Sequence, residues 1–209
     1  MPHGLTTTSY AILGELALRP WTMYELAAEM RRNVHFFFPR VESQIYAEPK
    51  RLVALGLAEA TTEMVGKRPR TTYAITRKGR AALREWLASP VSKEPLLEFE
   101  ALLRVMLAPF GTDDDLRRTL EQARSSINAT ILSIAPKISD EYAAGRAPFQ
   151  RYAQYRSIMH DFLLHFGMLI EDWADRSLER MKDWPNQTED ERHAAGIEIF
   201  DRNRPRQKR

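Results

Sequence analysis

Residues 57–80 read LAEATTEMVGKRPRTTYAITRKGR, and this stretch decides the fold. From Leu57 to Met64 and again from Arg70 to Ile75 the pattern alternates, with Thr71, Tyr73 and Ile75 on one face. Gly66-Lys67-Arg68-Pro69 between the two runs are turn formers, so the runs fold back on each other as a β-hairpin. Thr76 then caps a helix that carries Leu83, Trp86 and Leu87 and ends before Pro90.

Upstream of the hairpin the period is helical. Thr8 or Ser9 can cap a helix with Ile12, Leu13, Leu16 and Ala17 on one face, stopped by Pro20. Thr22-Met23-Tyr24-Glu25 is a capping box, with Trp21 and Leu26 at the staple positions, and predicts a second helix to about Arg32. A third helix is expected from Glu42 or Ser43 to Gly56, where glycine can turn left-handed and Leu57 can fold back on Leu52. Pro49 lies inside that span and removes a hydrogen bond to the Ile45 carbonyl, at a cost of about 3 kcal/mol. The helix is therefore either kinked at Pro49 or begins later. Helix, helix, helix, hairpin, helix is the winged helix-turn-helix order.

Beyond a linker at Pro90–Pro95 everything reads helical. Leu97, Ala101, Leu102 and Val105 mark a short helix. Asp113–Asp115 suit a helix start, followed by apolar residues at steps of three and four from Leu116 to Tyr142, with a kink expected at Pro136. A second long helix carries the seam Tyr152, Tyr155, Met159, Phe162, Phe166, Leu169 and Trp173, and seams this regular want a partner helix. The expected chain is thus mainly α with a small β-hairpin wing. An N-terminal winged helix-turn-helix at 1–90 precedes a C-terminal helical dimerisation domain at 95–184, and 185–209 is a polar, disordered basic tail.

Composition narrows the function classes. The 209 residues contain no cysteine, which removes disulfides, thiolate zinc sites and cysteine nucleophiles together. No apolar run approaches the ~18 residues of a membrane helix, and the first twenty residues lack a basic leader region, so a cytoplasmic protein is expected. Charge is unevenly spread: net +5 over 1–94, −6 over 95–200 and +4 over the last nine residues. From Met64 to Arg84 there are seven cations (Lys67, Arg68, Arg70, Arg77, Lys78, Arg80 and Arg84) and no acid. A wing with Lys67, Arg68 and Arg70 at its tip can lie along a minor groove and neutralise phosphates. The exposed face of the third helix offers Ser43, Gln44, Tyr46, Lys50 and Arg51 to base edges and phosphates, Ser43 and Gln44 foremost.

Other chemistries find no support. His160, Asp161 and His165 lie close on one helix, but two histidines five apart do not share a face and a third ligand is missing, so no metal site is expected. The nine glycines form no nucleotide-binding pattern and there is no GxSxG elbow, so neither an enzyme nor a cofactor is expected. The stripe Tyr152, Tyr155, Phe162, Phe166 and Trp173 reads first as core and dimer seam, and alternatively as the wall of a cavity between subunits that holds a small aromatic effector. A winged-helix adaptor that binds protein rather than DNA stays open as a rival, although it has no reason to keep the wing free of acids.

Several runs resemble the PadR-like transcriptional regulators: Tyr10-Ala11-Ile12-Leu13-Gly14, Met23-Tyr24-Glu25-Leu26, Ser43-Gln44-Ile45-Tyr46, Arg51-Leu52, Leu55-Gly56-Leu57 and Tyr73-Ala74-Ile75-Thr76-Arg77-Lys78-Gly79-Arg80. They span about residues 8–87 in the family's order. The helical second half resembles, by layout, the dimerisation domain of the subgroup with AphA-like C-terminal domains. The resemblance implies a homodimer on palindromic operator DNA, often a repressor, in some members with an aromatic effector. Pro49 and Met23 depart from the family's usual residues.

Overall fold

The computed structural model describes residues 4–34, 37–38, 44–66, 68–91 and 94–204. The chain divides into two compact units, Met1–Pro95 and Leu96–Arg209. It is mostly helical with one small antiparallel sheet, and among the described residues no helix is long and apolar enough to cross a membrane.

In the first unit α1 (Thr7–Leu18) is capped by Thr6, two or three residues earlier than Thr8 or Ser9, because Thr6 and Ser9 form a reciprocal capping box. Helix α2 (Met23–Asn33) starts at the Thr22–Glu25 box. Leu26 and Met30 on α2 are fully buried with Ile12, Leu13 and Leu16 of α1. Trp21–Thr22 also form a two-residue strand, β1, which pairs with the third strand at Tyr73 and Thr72 and makes a sheet of order β1-β3-β2.

The third helix, α3, runs only from Glu48 to Ala54. Of the two alternatives for Pro49, the later start holds: Pro49 occupies the first turn, where its missing N–H has no partner to lose and its fixed φ suits the helix. Gln44–Ala47 form a turn in front of it, closed by Ala47 and Glu48 N–H bonds to the Gln44 carbonyl at 3.1 and 3.0 Å. The exit is a full Schellman ending: Gly56 at φ +70° lets Leu57 N–H reach Leu52 O and Gly56 N–H reach Val53 O, both at 2.9 Å.

Strands β2 (Ala58–Val65) and β3 (Arg68–Ile75) pair from Ala58–Ile75 out to Val65–Arg68, so the turn is tighter than the four residues expected and Pro69 lies within β3. Only the base is anchored. Ala58, Tyr73 and Ile75 are buried, while β2 beyond Ala58 and β3 up to Arg70 are exposed. Helix α4 (Arg77–Ala88) is capped by Thr76 and begins hard against the α3 exit, because Gly79 has no Cβ to meet the Leu57 carbonyl. Trp86 of α4 stacks on buried Tyr10 of α1, ring centroids 4.7 Å apart.

In the second unit α5 (Glu100–Met106) precedes α6 (Asp113–Ile127), which starts at a Thr112–Asp115 capping box with three acids in its first turn. The seam expected to run unbroken to Pro136 breaks earlier. A π-helical turn at Asn128–Leu132 separates α6 from α7 (Ala135–Ala143). Pro136 cannot donate to the Leu132 carbonyl and its ring crowds it, so the interruption falls four residues upstream of the proline. Helix α8 (Ala153–Met181) packs Gly167, Ile170 and Ala174 against Leu120, Ala123 and Ile131. Gly167 is needed there, since a Cβ would come within 3.0–3.1 Å of Leu132 and Ile131 side chains.

Residues 189–202, expected within a disordered tail, form helix α9 (Glu189–Arg202). Thr188 and Glu191 build a capping box, and Arg192 ties the helix back to Asp113 Oδ2 at 3.0 Å and to the Trp184 carbonyl at 2.5 Å. Residues 205–209 lie outside the described residues.

Candidate nucleic-acid interface

The wing presents Arg68 and Arg70, both exposed, on a hairpin whose outer half touches solvent on both faces. Lys67 lies outside the described residues. Arg70 is not isolated: its Nη2 is 3.7 Å from Glu25 Oε1, and Arg19 Nη2 lies 3.8 Å from the same oxygen. Glu25 is held below the usual carboxylate range, first by hydrogen bonds from the Thr22 hydroxyl and backbone N–H, then by the two guanidinium groups. The acid-free run in the sequence therefore meets an acid in space. Glu63 is also the cross-strand partner of Arg70.

The candidate reading element is a turn followed by a short helix. Gln44 and Tyr46, expected on the helix itself, stand on the turn before it, because Pro49 delays the helix start. Both are exposed, Tyr46 by 58%, so its side chain is not core, while Ile45 between them is buried at 1%. Ser43 lies outside the described residues. Lys50 is exposed on α3. Arg51 is not a free reader: its Nη1 donates to Glu48 Oε1 at 2.7 Å and its Nη2 to the Gly4 carbonyl.

Two of the remaining cations cap helices. Lys78 Nζ donates to the Leu55 carbonyl at 2.8 Å and Arg80 Nη1 to the Ala17 carbonyl at 3.4 Å, each at a helix C-terminus. Spacing alone could not separate these from phosphate binders. Tyr24, 80% exposed at the start of α2, was not among the expected site residues. It borders an open groove with Thr22, Glu25, Pro69, Arg70 and Tyr73, between the α2 start and the wing.

The aromatic residues of the second unit do not converge. Tyr155 and Phe162 point outward, 67% and 64% exposed, and Phe162 stacks on Phe166 at 6.3 Å. Trp173 is engaged edge-on by Phe99 at 5.8 Å, and Tyr152 lies in the turn before α8 under Arg151. A cavity of about 400 Å³ in this unit is lined instead by Leu116, Leu120, Met181, Trp184, Arg192 and Ile199. His160 bonds Ser139 at 3.1 Å and His165 bonds the Asp161 carbonyl, and among the described residues no three His, Asp or Glu side chains converge as metal ligands.

The comparisons with known proteins bear on the fold. A relative, the probable transcriptional regulator Rv1176c of Mycobacterium tuberculosis (strain ATCC 25618 / H37Rv), is 34% identical over 84 residues, 40% of this chain and 44% of that protein. The aligned stretch thus spans less than half of the relative's length. Among solved structures, Bacillus subtilis PadR in complex with operator DNA superposes with a TM-score of 0.72 at 18% identity, covering 85% of this chain and 99% of that one. The same PadR with p-coumaric acid gives 0.62 at 18% identity, covering 86% and 99%. At such identity the likeness shows the fold. The AphA-like layout of the second half stays a resemblance, since the family match is confined to the first unit. The transcriptional regulator PadR-like family model matches residues 12–85, a stretch that lies wholly within the first unit and is similar to that family.

Proposed function

We propose that this chain is a sequence-specific DNA-binding transcriptional regulator that acts as a homodimer, in the cytoplasm, on a pseudo-palindromic operator, most simply as a repressor. The observation that carries it is the pairing of an exposed cationic wing, Arg68 and Arg70, with an exposed reading turn, Gln44 and Tyr46, and Lys50 beside them in one PadR-like unit. Phosphate neutralisation by the wing supplies affinity, and base-edge contacts from the turn supply choice. Lys67 and Ser43, outside the described residues, are proposed as further DNA contacts.

Dimerisation is supported by the second unit, where Tyr155, Ile158, Phe162 and Leu169 leave an apolar stripe of α8 in water and α5 buries no residue. Such a seam is stable when a second copy covers it. Two-fold symmetry then sets two wings and two reading turns about 34–36 Å apart, one turn of DNA. A regulator of this kind performs no catalysis and needs no cofactor. We propose also that a small aromatic effector shifts the dimer between geometries, as the complex of Bacillus subtilis PadR with p-coumaric acid suggests. Tyr152, Tyr155, Phe162, Phe166 and Trp173 are the candidate contacts, Tyr155 and Phe162 best placed to face a second subunit.

Selection of bound sites from random DNA is the test. Enriched sites with two-fold symmetry are expected. No enrichment over scrambled competitor would favour a protein-binding adaptor.

A further inference from the structure

We infer that Glu48 is a positioning residue: buried, and held by Ser9 and Arg51, it sets the reading turn and α3 on helix α1. The inference rests on the DNA-binding reading above. Ser9 is fully buried and Glu48 only 7% exposed. The Ser9 hydroxyl donates to Glu48 Oε1 at 2.5 Å, and the same oxygen accepts Arg51 Nη1 at 2.7 Å. Ser9 Oγ also accepts the Thr6 N–H at 2.9 Å, so it closes the cap of α1 while holding the first residue of α3. Arg51 Nη2 carries the link on to the Gly4 carbonyl. The start of the chain's first helix and the start of its reading helix thus meet on one carboxylate oxygen.

A packed unit does not need that oxygen for cohesion. Ile12, Leu13, Leu16, Leu26 and Leu52 already close an apolar core, and Arg51, 39% exposed, makes a half-solvated pair with Glu48 that adds little to cohesion. What a short, directional pair of hydrogen bonds adds is orientation. Glu48 N–H bonds the Gln44 carbonyl at 3.0 Å, so fixing Glu48 fixes the turn that presents Gln44 and Tyr46. Base-edge readout tolerates displacements of only about 0.5 Å. Arg51 accordingly serves the turn from behind and makes no DNA contact of its own.

The test compares the full-length wild type with Ser9→Ala, Glu48→Gln and Arg51→Met. One measurement is the ratio of affinities for a duplex selected by the wild type and a scrambled duplex, across a salt series. The other is amide hydrogen exchange in 50–54 compared with α4. Ser9→Ala and Arg51→Met should each lower the ratio on the order of tenfold with the salt slope unchanged, and Glu48→Gln should lower it less, since its amide oxygen still accepts from Ser9. Amides 50–54 should exchange faster while α4 keeps its protection. An unchanged ratio, a salt slope reduced by about 0.9 in Arg51→Met, or uniform loss of protection across the unit each overturns the proposal. If the wild type selects no DNA at all, the functional reading fails on its own; faster exchange confined to 50–54 in Ser9→Ala then still supports the Glu48 link, and unchanged exchange overturns it.

Discussion

Arg70 on the wing and Glu25 on α2 form an open ion pair, Nη2 to Oε1 at 3.7 Å, across the groove between the hairpin and the start of the helix. Both side chains are partly solvated, so the pair is worth about 0–1 kcal/mol and competes weakly with a phosphate. Glu25→Gln keeps the capping box, because an amide oxygen still accepts from Thr22, but removes the charge that holds Arg70 and Arg19. We expect about two- to fivefold tighter binding of every DNA sequence at low salt. In contrast, Arg68→Ala should weaken binding to all sequences and flatten the salt slope by up to ~0.9. A titration by fluorescence anisotropy at several salt concentrations checks both, and an unchanged slope in Arg68→Ala would remove the wing from the interface.

Three capping boxes share one acid-base behaviour. Glu25 is lowered from 4.5 by the Thr22 hydroxyl and backbone, Asp115 from 3.8 by the Thr112 hydroxyl and backbone, and Glu191 from 4.5 by the Thr188 backbone and hydroxyl. Each folded value lies below the unfolded one, so the native state binds fewer protons. Their stabilisation is complete above the unfolded values and is lost as pH falls through the folded ones. The urea midpoint, followed by circular dichroism, should decline below about pH 4.5, and less steeply in Thr112→Ala. A midpoint that rises on acidification contradicts this.

Gly79 and Gly14 should respond oppositely to alanine. A Cβ on Gly79 would sit 2.1 Å from the Leu57 carbonyl oxygen, a backbone atom that cannot step aside, whereas nothing lies within 4 Å at Gly14 in α1. Gly79→Ala should cost about 1–3 kcal/mol or more, and Gly14→Ala should gain ~0.5–1 kcal/mol from helix propensity. Thermal unfolding of the two variants decides the matter; equal shifts would mean that α4 can slide off the α3 exit without penalty.

The exposed stripe on α8 makes the dimer testable at one residue. Phe162→Glu places a charge on a face that a second copy should cover. Light scattering should find the wild type as a dimer and this variant as a folded monomer whose DNA affinity falls by a large factor. A dimer that tolerates the charge would move the interface elsewhere.

Much of the first unit is legible in the sequence because its signals are local. Thr22 and Glu25 announce α2 within four residues, Gly56 and Leu57 announce the end of α3, and Thr76 announces α4. The misses arise where one local signal was overruled or where partners are distant. Pro49 at a first helical turn looks like Pro49 in a helix interior until the start is known, so the sequence pattern places Gln44 and Tyr46 on the helix. The strand Trp21–Thr22 is too short to show alternation and exists only because Tyr73 and Thr72 accept it. Arg51, Arg70, Lys78 and Arg80 read alike as surface cations, yet their distant partners, the Gly4 carbonyl, Glu25, Leu55 and Ala17, are supplied by the tertiary fold. Helix α9 could have been found, since Thr188-x-x-Glu191 is the same capping signature that located α2.

The most direct measurement takes a symmetric duplex selected by the wild type and varies the spacing between its half-sites. Two wings and two reading turns held by one dimer can engage only half-sites on the same face of the helix. An insertion of about five base pairs rotates one half-site to the opposite face, and we expect it to reduce specific binding to the level of a scrambled duplex. Binding that is indifferent to this insertion would contradict symmetric presentation by a dimer.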